Sequence, residues 1–288
     1  MRTQELAPAK INLALDILGR RADGYHELRM VMQTVSLCDV ITVEEGGTGF
    51  TLLTGEAFSL PADKVSMEQR AAEAFFAALG VPVPPLTVRL EKNIPAYAGL
   101  GGGSADVAAL LRCLRRLYAA GMPDEALRAI GLIVGSDVPF CVSGGTSLAE
   151  GRGERLTDLP PLPVCQIVLC KPDFGISTPE LFVLADGAVL SKRPDIAGLT
   201  AALQGGELTG VTDRLCNVFE EFLPERYREV FRIKEILLAH GALNAAMSGS
   251  GPTVYGIFES AAEAQRAAEV LKKSYQQTYV AKPVKKLV

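Results

Sequence analysis

Histidine is nearly missing from this chain: His26 and His240 are the two among 288 residues. A zinc site built from several histidines is excluded, and a Ser-His-Asp device would have to use one of these two, neither of which stands in a nucleophile context. The six cysteines, at positions 38, 113, 141, 165, 170 and 216, include no C-x-x-C pair and no histidine at metal-ligand spacing. Reduced, cytoplasmic thiols are the expectation. A secretory leader is not expected, because Glu5, Lys10 and Asp16 leave no apolar run between them. Nor is a membrane span: the longest uncharged stretch, residues 241–258, is broken by Asn244, Ser248, Gly249, Ser250, Gly251 and Pro252. Positive charge is not in excess either, with 29 Lys and Arg against 33 Asp and Glu, a formal net charge of −4. Without a basic face, nucleic acid and membrane surfaces are disfavoured as partners, and any phosphate must be held by backbone dipoles and a few placed cations. A small-molecule ligand fits better, and no obligate protein partner is inferred.

What the chain does have is a concentration of glycine. Residues 95–106 read PAYAGLGGGSAD, with Gly99, Gly101, Gly102 and Gly103 inside five positions. Such a run can take positive φ and turn several N–H groups toward one point. Ser104 is placed to cap a helix whose apolar residues Val107, Leu110, Leu111, Leu114, Leu117 and Tyr118 recur at helical spacing, before Gly121 and Pro123. That helix, about 25 Å long at about 1.5 Å per residue, points its partial positive charge into the glycine loop, where a phosphate would sit. The Walker A pattern fails for want of a lysine before Ser104, and a dinucleotide fingerprint breaks at Ser104. The loop alone leaves two readings open, a phosphate cradle or a tight strand-to-helix turn.

Ahead of the loop, residues 8–17 alternate Ile11, Leu13, Leu15 and Ile17 with Lys10, Asn12, Ala14 and Asp16, the period of a half-buried strand. Lys10 and Asn12 share its polar face about 7 Å apart, either as a solvent-facing pair or as a pair reaching one polyphosphate. Asp23-Gly24 predicts a hairpin turn, with Tyr25 and His26 just beyond it and strands at 29–37, 40–43 and 49–53. A helix at 67–79 and a strand at 86–90 lead into the glycine loop; a second helix spans 123–134 and stops at Gly135. Asp137 then lies in a loop stiffened by Pro139, either drawn inward to a partner or serving as a turn or N-cap residue. Residues 147–150 and 154–156 read as a hairpin around Gly151-Arg152-Gly153.

The prolines of LPPLP, residues 159–163, predict a boundary between domains at 1–160 and 161–288. The second half begins with a strand at 166–170. Thr178 reads as N-cap and Pro179 as first helical residue, which puts Phe182 on the first turn. Helices are expected near 214–222 and 225–240, then a strand to Met247, a second glycine turn SGSGP at 248–252, and a strand at 253–258. Ser260 and Glu263 form a capping box for a helix to about 273, and a last strand at 279–284 can close the sheet. The pattern is that of an α+β protein.

Together PAKINL (8–13), PAYAGLGGGSAD (95–106) and SGSGP (248–252) resemble, in order and spacing, the three motifs of the GHMP small-molecule kinases. The resemblance implies an α+β, two-domain fold, with an N-terminal ribosomal-protein-S5-like α/β domain, a C-terminal ferredoxin-like α+β domain and a cleft between them. It implies transfer of the γ-phosphate of ATP, with Mg²⁺, to an alcohol. Asp137 becomes the proton acceptor and Lys10 its cationic neighbour; Pro95, Gly99, Leu100, Gly101, Gly102, Gly103 and Ser104 hold the ATP phosphates, with Ser104 near the metal. Ser248, Gly249, Ser250 and Gly251 form the second glycine turn. GRRADGYHEL (19–28), GSDVPF (135–140) and GRGERL (151–156) resemble the branch of that family whose substrate carries a cytidine diphosphate group, in non-mevalonate isoprenoid precursor synthesis. That likeness makes Tyr25 and Phe182 a stacking pair and His26 the reader of the base, with Asn12 and Thr178 nearby. A homoserine or mevalonate type of GHMP kinase would have no reason for Tyr25, His26 and Phe182, and a non-catalytic sensor on the fold would lack Lys10 and Asp137. One departure stands out: Ser66 occupies a position where the family usually has asparagine, so one polar contact to the nucleotide is in question.

Overall fold

The computed structural model describes residues 1–55 and 65–287. Its frame is one long antiparallel hairpin, β1 (Arg2–Arg20) and β2 (His26–Glu45), paired from Arg2 opposite Glu44 to Arg20 opposite His26. Three register breaks along β1, between Pro8 and Lys10, Asn12 and Ala14, and Ile17 and Gly19, bend the pair. The bend lets β2 serve two neighbours. β3 (Phe50–Thr54) runs parallel to β4 (Leu86–Glu91), which pairs with the second half of β2; β5 (Thr146–Gly151) pairs with its first half and carries β6 (Arg155–Asp158). Strands expected separately at 29–37 and 40–43 are therefore one strand. Asp39, between them, stays extended because its carboxylate accepts from the backbone N–H of Asn93 (2.5 Å) and Ile94 (2.7 Å).

Four helices cover this sheet: α1 (Met67–Leu79), α2 (Gly102–Tyr118), α3 (Asp124–Val134) and α4 (Val138–Ser143). Val107, Leu110, Leu111 and Leu114 of α2 are fully buried in the core, as their spacing required. Each such leucine contributes about 2 kcal/mol over an exposed one. α4 lies where a loop was expected; Pro139 falls in its first turn, where the missing N–H has no helical partner to lose. β1 also departs from expectation. It is not half-buried: residues 7–17 are covered on both faces, so Lys10 and Asn12 are interior residues rather than a solvent-facing pair.

Residues 159–165 lead to a second, antiparallel sheet of order β11-β7-β10-β9, made of β7 (Gln166–Lys171), β9 (Asn244–Met247), β10 (Val254–Phe258) and β11 (Gln277–Ala281). α8 (Glu229–Ala239) and α9 (Ala261–Lys272) back it, the latter capped by Ser260 as predicted. Between β7 and α8 lie α5 (Thr178–Asp186), α6 (Ile196–Gly205) and α7 (Leu208–Thr212). Ser177 caps α5 in place of Thr178, accepting from the N–H of Glu180. The helix expected at 214–222 is instead a two-residue strand, β8 (Cys216–Asn217), laid parallel to β1 at Ala14 and Leu15, followed by a 3₁₀ turn (Val218–Phe222). Asn217 starts that turn by accepting from the N–H of Phe219 at 3.0 Å. The last strand stops at Ala281; the chain beyond it returns to the first half, where Val284 N–H donates to Thr34 O of β2 (2.9 Å) and Leu287 N–H to Ser143 O of α4 (2.8 Å). Among the described residues no helix is long and apolar enough to cross a membrane.

Candidate active site

The glycine loop connects β4 to α2 and is clipped to β1 by Lys10 N–H donating to Leu100 O at 2.9 Å. Gly99 (φ 74°) and Gly101 (φ 69°) hold left-handed backbone. At both positions the space is also closed: a Cβ on Gly99 would collide with the Ser248 carbonyl, and one on Gly101 would stand 3.0 Å from Lys10 Cγ. The two glycine turns are thus packed backbone to backbone, and Ser248 Oγ donates to Gly99 O at 2.9 Å. Gly101 rather than Ser104 occupies the N-cap position, so Ser104 lies within the first turn of α2 and caps nothing. The left-handed glycine lets the helix start three residues early, with no side chain on its leading N–H groups. Those donors, aligned with the helix dipole, are open to an anion.

Lys10 stands at this helix mouth. Its Nζ donates to Asn12 Oδ1 (2.7 Å) and lies 3.6 Å from Asp137 Oδ2. Asp137 precedes α4 in the N-cap position, but its carboxylate makes no capping bond and is turned toward the lysine. Both readings of Asp137 are therefore half right, since the backbone is that of a cap and the side chain has been drawn inward to a cation. The second glycine turn closes over the pair: a Cβ on Gly249 would come within 3.2 Å of Lys10 Nζ. Asn217 Nδ2 donates to the carbonyls of Met247 and Gly249, each at 2.8 Å, and Tyr255 OH donates to Asn12 O at 2.8 Å.

A cleft of about 650 Å³ runs from Lys10, Ser104 and Asp137 at one end to Tyr25, His26, Thr178 and Phe182 at the other, with Gly249, Ser250 and Gly251 along its wall. Thr178 Oγ1 and Ser250 Oγ are 2.7 Å apart. The ring stacked on Phe182 is that of His26, with centroids 4.5 Å apart and planes at 16°, while Tyr25 is covered by the Arg152 guanidinium at 4.5 Å. Tyr25 and Phe182 thus line the same cleft, each with a different ring or guanidinium against it. His26 Nε2 donates to Asp186 Oδ1 at 2.7 Å. Sequence reasoning misses Asp186, although its spacing of four from Phe182 puts both on one helix face. It also passes over Arg152 inside GRGERL, where the flanking glycines mark a turn tip rather than a ligand.

A buried charge cluster beneath the loop has no signal in the sequence at all. Lys92 Nζ donates to Asp106 Oδ2 (2.7 Å) and to Asp39 Oδ2, and both carboxylates are almost fully buried. Burial, with Asp39 beside it, drives the Asp106 pKa up to about 8 against the opposing pull of Lys92. Lys92, which burial alone would lower, is held above its ordinary value by the two acids. The Ser66 hydroxyl is occupied within its own helix, accepting from Gln69 N–H at 3.0 Å to cap α1. Among the described residues no three His, Cys, Asp or Glu side chains cluster as a metal cage.

Comparisons with known proteins find relatives over nearly the whole chain. The family described as GHMP kinases N terminal domain matches residues 67–145, and that described as GHMP kinases C terminal matches residues 200–277. A 4-diphosphocytidyl-2-C-methyl-D-erythritol kinase of Caldicellulosiruptor bescii is 40% identical over 266 residues, 92% of this chain and 93% of that protein. One of Clostridium acetobutylicum is 37% identical over 278 residues, covering 96% and 99%. A crystal structure of 4-(cytidine 5'-diphospho)-2C-methyl-D-erythritol kinase superposes with a TM-score of 0.82 at 32% identity, covering 98% of this chain and 99% of that one.

Proposed function

The chain belongs to the GHMP kinases and, within them, to the 4-diphosphocytidyl-2-C-methyl-D-erythritol kinases, and we propose that it moves the γ-phosphate of ATP onto the 2-hydroxyl of that cytidine diphosphate alcohol, giving the 2-phosphate and ADP. The observation that carries the assignment of roles is the Lys10 and Asp137 pair, 3.6 Å apart, at the mouth of α2 in the same cleft as Tyr25, His26 and Phe182. Phosphoryl transfer passes through a loose transition state that asks little of a base, so catalysis rests on positioning and charge. Asp137 orients the acceptor hydroxyl and takes its proton late. Lys10, fixed by Asn12, meets the charge on the transferring group. The phosphates lie against the N–H groups of residues 102–104, within the loop from Pro95 to Ser104, and the turn Ser248, Gly249, Ser250 and Gly251 forms the opposite wall.

Magnesium accompanies ATP in this reading, and the donor set suits it: Ser104 supplies a hydroxyl, and the rest of the shell would come from phosphate oxygens and water, as this ion prefers. When bound it neutralises phosphate charge. At the other end Tyr25, His26 and Phe182 receive the cytosine, with Thr178 and Asn12 along the path to the hydroxyl. A division near residue 160, into a nucleotide-binding first half and a second half carrying α5 and the second glycine turn, fits this assignment. Free thiols at all six cysteines suit a cytoplasmic setting.

The test is a coupled ADP-release assay on an acceptor panel. The cytidine diphosphate alcohol should support turnover, while homoserine and mevalonate should give background rates. Equal rates on either of those, or none on the cytidine substrate, would overturn the reading.

A further inference from the structure

Three cations line the cleft: Lys10, Arg20 and Arg152. Lys10 is engaged by Asn12 and Asp137, and Arg20 stands 3.6 Å from Asp186. Arg152 differs. Among the described residues no carboxylate lies within ion-pair distance of its guanidinium; Asp23, the acid that feels its charge, accepts instead from Arg21 Nε (3.2 Å) and Tyr25 N–H (3.1 Å). The guanidinium rests on the Tyr25 ring, 4.5 Å from its centroid.

The backbone that carries it is tightly set. Arg152 sits at the tip of the β5–β6 hairpin between Gly151 (φ 75°) and Gly153 (φ 113°), with its N–H donating to Glu154 Oε2 at 2.6 Å. Gly153 abuts the reacting end: a Cβ there would stand 3.7 Å from Asp137 Oδ1. The side chain therefore reaches from a backbone beside Asp137 to the face of Tyr25. In the proposed function the hydroxyl is at Asp137 and the base at Tyr25 and Phe182, so the two phosphates joining them must pass the stretch that Arg152 spans. A guanidinium without an acid partner, steadied on an aromatic face, offers several N–H donors in a planar fork that matches phosphate oxygens.

We infer that Arg152 binds the diphosphate bridge of the substrate. The inference rests on the proposed function, and the test separates the two. Calorimetry measures cytidine diphosphate and cytidine binding to wild type, Arg152→Met and Arg152→Lys, with the ATP site filled by a saturating nonhydrolysable ATP analogue. In wild type the diphosphate should bind more tightly than the nucleoside. In Arg152→Met it should lose about tenfold to a hundredfold, the size of charged hydrogen bonds to phosphate, while cytidine stays within about twofold; Arg152→Lys should recover part of the loss. In turnover assays KM for the cytidine substrate should rise by a similar factor, with KM for ATP unchanged. Equal weakening of both probes would mean that Arg152 only props the Tyr25 ring, and no weakening of either would mean that it does not meet the ligand; each result overturns the inference while leaving the kinase reading intact. Failure of wild type to bind either probe would overturn the placement of the cytidine group itself, and the inference with it.

Discussion

The two ends of the cleft are built in opposite ways. At the reacting end Lys10 and Asn12 are 5% and 1% exposed, lie on the one strand β1, and are joined by a direct hydrogen bond. At the far end Tyr25, 53% exposed, and His26 lie on a hairpin of the first half, and His26 meets Phe182 and Asp186 on a helix of the second. One end is interior architecture that happens to open onto a cleft. The other is assembled across it, where His26 of the first half stacks on Phe182 and bonds Asp186 of the second. Groups whose job is to meet developing charge gain from being fixed before substrate arrives, whereas groups that select a ligand need only be completed by it. Damage at the first end should therefore appear in kcat, and at the second in KM.

The sharpest break of that contrast is Asp137→Ala. Turnover should fall by about a thousandfold, the range for loss of a positioned proton acceptor, while ATP affinity measured by calorimetry stays within about threefold. Retention of more than a tenth of wild-type kcat would remove Asp137 from the reaction and leave the two ends without a functional distinction. Phe182→Ala comes next in size. Loss of a base-stacking surface worth about 1–3 kcal/mol should raise KM for the cytidine substrate by about tenfold to a hundredfold, with kcat and KM for ATP little changed. A parallel rise in both KM values would show that the aromatic end is not separate from the nucleotide end.

The same contrast governs how far the sequence could be read. Elements set by local signals were legible: α1 with its glycine stop, the buried stripe of α2, the Ser260 cap, and the hairpin flanking Arg152 all follow from spacing and turn chemistry. Features decided by distant neighbours were not. Nothing in residues 8–17 reveals that β1 will be covered on both faces, because the cover comes from elements distant in sequence, among them α2 and the second glycine turn. Residues 214–222 have helix-compatible letters, yet Asn217 is needed to hold the Met247 and Gly249 carbonyls and the chain extends to reach them. At the glycine loop the letters promised an anion site, and the structure adds that Gly99 and Gly101 are glycines because a second backbone passes there. The stacking of His26 on Phe182 joins residues too far apart in sequence for any periodic signal.

The smallest expected effect concerns stability and belongs to the buried end alone. Among the described residues Asp106 Oδ1 is buried with no hydrogen-bond partner, while Oδ2 accepts from Lys92; a proton on the carboxyl removes the cost of that bare charge. With the folded pKa raised to about 8, chiefly by burial, the native state keeps a proton that the unfolded chain releases near the ordinary carboxylate value of 3.8. The native state therefore binds more protons than the unfolded state between those limits. Stability from this group is complete at low pH and is lost as pH rises through the folded value, the reverse of a carboxylate whose pKa folding depresses. Asp106→Asn supplies a permanently neutral amide whose oxygen can still accept from Lys92. Its melting temperature should vary less than that of wild type between about pH 5 and pH 9, the two curves separating by about 2–4 °C for each kcal/mol of the lost linkage. Parallel curves would show that the proton is held elsewhere. Phe182→Ala should keep the wild-type slope, since it removes an apolar ring and leaves the cluster beneath the glycine loop intact; a slope altered as much as in Asp106→Asn would mean that the two ends of the cleft are coupled in stability as well as separate in chemistry.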